Sequence, residues 1–366
     1  MVLAEQFMAR ALQLAERGLY TTDPNPRVGC VIVKNDEIIG EGWHQRAGEG
    51  HAEVNALNDA GNNAKDADCY VTLEPCSHTG RTPPCADALI KAGVKRVFIA
   101  MQDPNPRVAG QGISKLEKAG IIVVSGILSQ QAEALNPGFC MRMRSGRPYI
   151  RTKIAMSVDG RTAMASGESQ WITGDAARQD VQKLRARSSA ILTGSGTVLA
   201  DDPALTVRPE GDWYPTEQAV RQPLRVIVDS QLQTPKTAQI LADKTKVLIA
   251  TASEQLDNEL AETISIANDN QQVDLAALMA ELAQREINEV MVEAGSILNG
   301  ALLEAGLIDE LIIYMAPKLM GDSAKGLFHL PELQSMAQNI ELKISDIRAV
   351  GQDWRISAMP EYYEEI

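Results

Sequence analysis

Four side chains near the start of the chain have the types and spacing for metal-assisted hydrolysis: His51, Glu53, Cys76 and Cys85. Zinc takes imidazole nitrogen and thiolate sulfur, and a catalytic zinc keeps three protein ligands with one position open for water. His51, Cys76 and Cys85 supply that set, within HAE at 51–53 and PCSHTGRTPPC at 75–85. Glu53 follows His51 by two residues, early in an expected helix, where its carboxylate reaches the open position without being a ligand. The chemistry this implies is metal activation of water for hydrolytic attack, with Glu53 carrying the proton to the leaving group. A closed structural site, with His78 or Cys69 as fourth ligand, is the competing reading of the same residues. Cys30 reads as a buried strand residue, and Cys140 has no evident partner.

The elements that must position these groups alternate between strand-like and helix-like segments. VGCVIVK (28–34) and EIIGEGW (37–43) read as a hairpin, and a helix begins near His51. CYVTLEP (69–75), a helix through Ala86–Lys91, RVFIAM (96–101), a helix after Gly112 and IIVVSG (121–126) follow. That order predicts a sheet flanked by helices. An amphipathic helix precedes it, with Leu3, Phe7, Ala11 and Leu14 on one face. The basic stretch MRMRSGRP (141–148) marks a boundary, dividing the chain into 1–146 and 147–366. Beyond it, strands are expected at 149–157, 188–194, 224–230, 246–250 and 287–295 and within 307–321, with a helix over Asp175–Arg187. Residues 209–223 are polar and read as a surface loop. The hexapeptide DPNPRV occurs at 23–28 and again at 103–108 without matching flanks, as two loops sharing one turn chemistry.

Composition narrows the function. At 366 residues two domains are the natural expectation. A net charge of −13 argues against gripping a long phosphate backbone, so no nucleic-acid partner is expected. No apolar run approaches the roughly 20 residues of a membrane-spanning helix. Five cysteines, an odd number, do not look like a disulfide framework and fit a reducing cytoplasm.

Zinc deaminases arrange their groups as H-x-E followed by P-C-x-x-C. Here eight residues separate the cysteines, which adds the rim loop SHTGRTPP. These motifs resemble the cytidine-deaminase-like superfamily. The long PCSHTGRTPPC loop, with PNPRVGCVIV upstream, resembles the deaminase half of the bifunctional riboflavin-biosynthesis deaminase/reductases. The resemblance implies a three-layer α/β domain with the zinc at helix N-termini. It also makes Asn25, His44, Arg81 and Asn105 candidates for holding the pyrimidine and its ribose phosphate. Plain structural roles compete with these: turn-shaping for Asn25 and Asn105, strand capping for His44, and simple solvation for Arg81.

No G-x-G-x-x-G followed by a helix and an acid appears, so a Rossmann site has no support. TGSGT (193–197) and VEAGSIL (292–298) are strand–Gly–helix turns able to present N–H groups to phosphate. KIAMSVDGRTA, SQWIT, TGSGTVLADDPALTVR, VEAGSILNGALLEAGLIDEL and APKLMG resemble the reductase half of the same family, in the same order. That half implies a dihydrofolate-reductase-like α/β fold and NADPH. By position, Ala155, Trp171, Thr197, Asp201 and Ser230 would contact the cofactor. Gly295, Ser296, Ile297, Leu298, Asn299, Gly300 and Ala301 would cradle its phosphates. Ser169, Arg185, Leu205, Arg208 and Glu293 would contact the phosphorylated substrate, with Arg185 and Arg208 as phosphate anchors. Lys153 would sit near the reacting carbon, and Glu293 is the partner expected for its ammonium. Trp171 as core, Arg185 as a solvated helix residue and Asp201 as a cap are the plainer readings. The resemblance implies two consecutive steps: zinc-dependent removal of a ring amino group from 2,5-diamino-6-ribosylamino-4(3H)-pyrimidinone 5′-phosphate, then NADPH-dependent reduction of ribosyl to ribityl. A homo-oligomer, with a dimer favoured, is the expected assembly.

Overall fold

The computed structural model describes residues 2–77, 83–215, 219–243, 245–254 and 260–362. The chain divides into two compact units, Met1–Gly146 and Arg147–Ile366.

The first unit runs α1 (Val2–Glu16), β1 (Gly29–Lys34), β2 (Glu37–Trp43), α2 (Ala52–Ala60), β3 (Asp68–Leu73), α3 (Cys85–Ala92), β4 (Arg96–Met101), α4 (Gln111–Lys118), β5 (Ile122–Ser125), α5 (Ser129–Leu135) and α6 (Pro137–Ser145). Its sheet has the order β2-β1-β3-β4-β5, with β1 antiparallel to both neighbours and β3, β4 and β5 parallel. Side chains alternate faces along a strand, and the core splits accordingly. Cys30 and Ile32 pack with Ala52, Ala56 and Leu89 below α2 and α3, whereas Val31 and Val33 pack with Met8, Ala11 and Leu14 of α1. With few aromatics available, one face is organised by Tyr70 stacked on Phe98, ring centroids 4.4 Å apart. Phe7, Ala11 and Leu14 are buried on α1 as its periodicity predicts, but Leu3 is exposed, one turn before the helix reaches the sheet.

Small residues let α2 lie close to the hairpin. A Cβ at Gly42 would stand 2.3 Å from the Ala56 amide nitrogen, and one at Gly40 would stand 2.4 Å from the Ala56 carbonyl oxygen. This close seating fixes the N-terminus of α2, and with it His51.

The second unit contains β6 (Tyr149–Ser157), α7 (Asp175–Arg187), β7 (Ala190–Gly194), α8 (Ser195–Asp201), β8 (Leu224–Val228), β9 (Val247–Thr251), β10 (Glu262–Ser265), α9 (Leu275–Gln284), β11 (Glu289–Val292), α10 (Ser296–Glu304), β12 (Glu310–Ala316), β13 (Glu341–Val350) and β14 (Asp353–Glu361). The sheet order is β10-β9-β8-β7-β11-β6-β12-β14-β13. Strands from β10 to β12 are parallel, and β14 and β13 add an antiparallel edge. Parallel strands carry near-continuous apolar runs because both faces are covered, as in AILTG and EVMV. The TGSGT turn is itself the start of α8. The β13–β14 hairpin had no sequence signal: β13 is exposed along nearly its whole length, so its residues carry no buried face to betray a strand.

Candidate functional site

His51 is the residue immediately before α2, and Cys85 is the first residue of α3. Cys76 follows β3, between Pro75 and the rim loop. The ligand atoms of the three lie within 4.8 Å of one another. His51 Nδ1 is 3.1 Å from Cys85 Sγ and 3.7 Å from Cys76 Sγ. Tetrahedral zinc with ordinary bond lengths needs nitrogen–sulfur edges of about 3.6 Å, which these two distances bracket. The donor set therefore fits a zinc ion held through Nδ1 and two sulfurs. Cys69 does not join it: its sulfur lies 3.4 Å from Cys30, inside the sheet. His78, the other candidate fourth ligand, lies outside the described residues, as does Arg81.

Electrostatics divide the protons of the triad unevenly. Cys85 donates to the Cys76 sulfur, and that bond, helped by His51 and the Cys85 backbone N–H at 3.3 Å, pulls the Cys76 thiol down to about 4. The proton of the pair rests on Cys85, which is pushed well up. Hydrogen bonding to Cys76 raises His51. Glu53 is buried in the first turn of α2, and burial pushes its carboxyl up to about 7, where it can both take and give a proton. A cation at the triad would draw that value back down.

Asn25 and His44 stand beside this centre. Their side chains meet at 3.0 Å, and the His44 ring lies edge-on to His51 with centroids 5.3 Å apart. His44 is buried, which lowers its pKa and favours the neutral ring. Its Nδ1 donates to the Gly50 carbonyl at 3.2 Å, so its Nε2 accepts from the Asn25 amide. Asn105, in the second DPNPRV copy, behaves differently. Its carbonyl oxygen accepts the Arg107 N–H of its own turn at 3.1 Å.

One group that the sequence did not single out is Glu74, at the end of the TLEP run. Its buried carboxylate accepts backbone N–H groups from Asp103, Gly110, Gly112 and Ile113. Nothing local announces this, because every donor comes from about thirty residues away or more.

In the second unit a cleft of about 2130 Å³ opens at the C-terminal ends of the parallel strands. Lys153, Ala155, Ser169, Trp171, Arg185, Thr197, Asp201, Leu205, Arg208, Ser230, Glu293, Gly295, Ser296, Ile297, Leu298 and Ala301 all line it. Asn299 and Gly300 do not. They lie on the inward face of α10, where Asn299 donates to the Ala294 carbonyl and a Cβ at Gly300 would stand 2.2 Å from the His329 carbonyl oxygen. Consecutive helical residues point 100° apart, so a run of seven cannot face one cavity.

Trp171 is 64% exposed and therefore no core residue; the Arg178 guanidinium sits over its ring at 4.6 Å. Asp201 accepts from the Ser169 hydroxyl at 3.2 Å. Glu293 is the acid that acts on Lys153, as expected, but its hydrogen bonds go to a second cation. Glu293 is held bidentately by Arg185, at 2.6 and 2.9 Å, and the remaining Arg185 nitrogen donates to the Thr206 carbonyl. With every guanidinium nitrogen engaged, Arg185 positions Glu293 and does not stand ready as a phosphate anchor. Arg208 is exposed on the cleft wall, and among the described residues its guanidinium has no ion-pair partner. Burial draws the Lys153 ammonium down, with Glu293 opposing and Arg185 reinforcing that fall.

The cleft fits a dinucleotide. Its volume suits one, the nine-residue α10 opens onto it, and a Cβ at Gly295 would stand in open space. The first N–H groups of the helix are thus free to meet phosphate.

Comparison with known proteins finds two family models on the chain. The cytidine and deoxycytidylate deaminase zinc-binding region matches residues 1–101, and the RibD C-terminal domain matches residues 148–356. The chain is 56% identical to the riboflavin biosynthesis protein RibD of Escherichia coli, over 95% of this chain and 97% of that one. A solved structure of Acinetobacter baumannii RibD superposes with a TM-score of 0.92 at 48% identity, covering 99% of both chains. A Thermotoga maritima structure described as a diaminohydroxyphosphoribosylaminopyrimidine deaminase/5-amino-6-(5-phosphoribosylamino)uracil reductase superposes at 0.87 with 33% identity, covering 98% of this chain and 99% of that one.

Proposed function

The chain belongs to the bifunctional riboflavin-biosynthesis deaminase/reductase family, and from that membership we propose how its two units divide the work. It is a zinc-dependent deaminase and an NADPH-dependent reductase in one polypeptide. Residues 1–146 hydrolyse the ring amino group of 2,5-diamino-6-ribosylamino-4(3H)-pyrimidinone 5′-phosphate. Residues 147–366 then reduce the ribosyl chain of the product to ribityl. The observation that carries this reading is the three-ligand cluster of His51, Cys76 and Cys85 with the buried acid Glu53 beside it.

His51, Cys76 and Cys85 hold the zinc. When bound, zinc supplies a Lewis acid that makes water nucleophilic near neutral pH. A Glu53 carboxylate oxygen takes the proton released by the attacking water and delivers it to the departing amino nitrogen. Asn25, with its amide N–H turned to His44, offers its carbonyl oxygen to a donor on the substrate. Asn105 and Arg81 complete the proposed substrate contacts.

In the second unit NADPH, when bound, supplies the hydride, which goes to the sugar carbon bearing nitrogen in the ring-opened form. The N-terminus of α10 would hold the cofactor phosphates, and Ala155, Trp171, Thr197, Asp201 and Ser230, which line the cleft, would contact the rest of it. Lys153 holds a proton next to the reacting carbon, with Arg185 and Glu293 fixing the field around it. Arg208 anchors the substrate phosphate, since guanidinium matches phosphate oxygens bidentately. Ser169 and Leu205 complete the wall.

A cytoplasmic setting is supported by five cysteines used as metal ligands or single thiols and not as disulfides, and no described helix is long and apolar enough to cross a membrane. A homodimer is supported by the open sheet edge at β13, where Ile344 and Ile347 stand more than half exposed at 55% and 54%.

NADPH absorbance tests the assignment. Wild type is expected to consume NADPH with the diaminopyrimidine ribosyl phosphate, whereas Glu53→Ala consumes it only when given the deaminated compound, with zinc retained. Ammonia release from wild type without NADPH consumption would sink the reading of the second unit.

A further inference from the structure

Glu74 takes no part in the chemistry above, yet it is one of the few acids buried in the first unit. Its Oε1 accepts Gly112 N–H at 2.9 Å and Ile113 N–H at 3.3 Å, and its Oε2 accepts Gly110 N–H at 3.0 Å and Asp103 N–H at 3.2 Å. All four donors belong to one segment, which leaves β4 and runs into α4. Between Asp103 and Gly110 that segment pairs with no strand, and its internal bonds are short-range turns around Asn105. Its seat is close as well: a Cβ at Gly112 would stand 2.0 Å from the Pro75 carbonyl oxygen.

The two segments so joined matter to the site. Glu74 and Pro75 lead directly to Cys76. The segments are in near contact, with a crevice of only about 10 Å³ between them, lined by Glu74, Pro75, Cys76, Ser77, Asp103, Val108 and Gly112. A carboxylate can accept two N–H groups at each oxygen, and Glu74 uses all of that capacity on backbone. Backbone donors specify the shape of a loop whatever its side chains are.

We propose that Glu74 is a positioning residue for deamination, fixing the 103–112 loop as the wall of the substrate space beside Cys76. This rests on the first unit being the deaminase. The loop then arrives already shaped when substrate binds, and the cost of ordering it is not taken from binding energy. Glu74→Gln keeps the size and one carbonyl oxygen but turns an NH2 group toward two backbone donors, so half of the loop's bonds are lost. Gly112→Ala displaces the same loop from Pro75 and retains the carboxylate, although its methyl would stand 3.2 Å from Glu74 Oε1.

The test is steady-state ammonia release by the full-length zinc-loaded protein, with reduction of already deaminated substrate as the measure of folding in the same chain. Both variants are expected to raise the deaminase KM by about tenfold or more, with kcat within about threefold, bound zinc unchanged and reduction unchanged. Unaltered KM in both variants would overturn the proposal. So would activity loss that follows zinc loss in both, because Glu74 would then serve the metal site and not the loop. If wild type itself releases no ammonia, the deaminase reading falls first and the proposal with it.

Discussion

The two sites of this chain are built on opposite principles. In the first unit three ligand atoms lie within 4.8 Å, and Cys76 is already drawn to the thiolate while Cys85 must release its proton to a metal. In the second, about 2130 Å³ is left open, and the ionic groups on its wall are neutralised in part by one another, as Arg185 is by Glu293. A metal ion must find its donors at fixed bond lengths, so the chain assembles them in advance. A dinucleotide and a sugar phosphate bring their own charges and shape, so the protein supplies space, helix N–H groups and a few anchored cations.

Substitutions can break this contrast. The largest effect is expected from Cys85→Ser, which removes a soft ligand from the three found among the described residues. Zinc content measured by metal analysis should fall to near zero and ammonia release with it, while reduction of deaminated substrate persists. Loss of both activities together would show that the two sites are not independent.

Arg185→Leu should come next. It leaves Glu293 as a nearly buried acid without its partner, a change that costs on the order of 3 kcal/mol in unfolding free energy. Burial pushes Glu293 up, but Arg185 and Lys153 outweigh it and hold its pKa below the ordinary glutamate value. That stabilisation is therefore present above the unfolded-state value of about 4.3 and is lost as pH falls through the lower folded-state value. Urea unfolding of wild type should show this loss in acid, and the variant should lack it. Equal acid sensitivity in both proteins would mean that the pair contributes nothing.

The smallest expected effect is at Arg208→Ala. An exposed phosphate contact is worth about 1.5–3 kcal/mol, so the reductase KM should rise roughly tenfold to a hundredfold with kcat little changed. A fall in kcat with KM constant would place Arg208 at the reacting centre instead.

The same contrast explains what the sequence disclosed. The zinc residues were legible because ligands must come in restricted types at helix starts, and two short motifs contain them. Strands β6 and β7 and helix α7 were legible from apolar runs and 3.6-residue periodicity. Glu74 was not, because a glutamate at a strand end looks like many others and its donors are remote in sequence. Nor was the second cation on Glu293: Lys153 looked natural as a neighbouring strand residue and does act on it, whereas Arg185 reaches across from α7. Asn299 and Gly300 were misplaced for a simpler reason, since positional resemblance counts along the chain while a helix turns half of its residues away. The paired hexapeptides give the clearest lesson, with one Asn directed to His44 beside the metal residues and the other closing its own turn.

Among the described residues, every strand of the first unit's sheet lies before Gly146. During synthesis, at about 5–20 residues per second, every partner for its five strands has therefore emerged from the ribosome well before the last strand of the second unit is made. The 220 residues that follow Gly146 need on the order of 10–40 s to appear at that rate. Nascent chains still tethered to the ribosome are thus long enough to take up zinc.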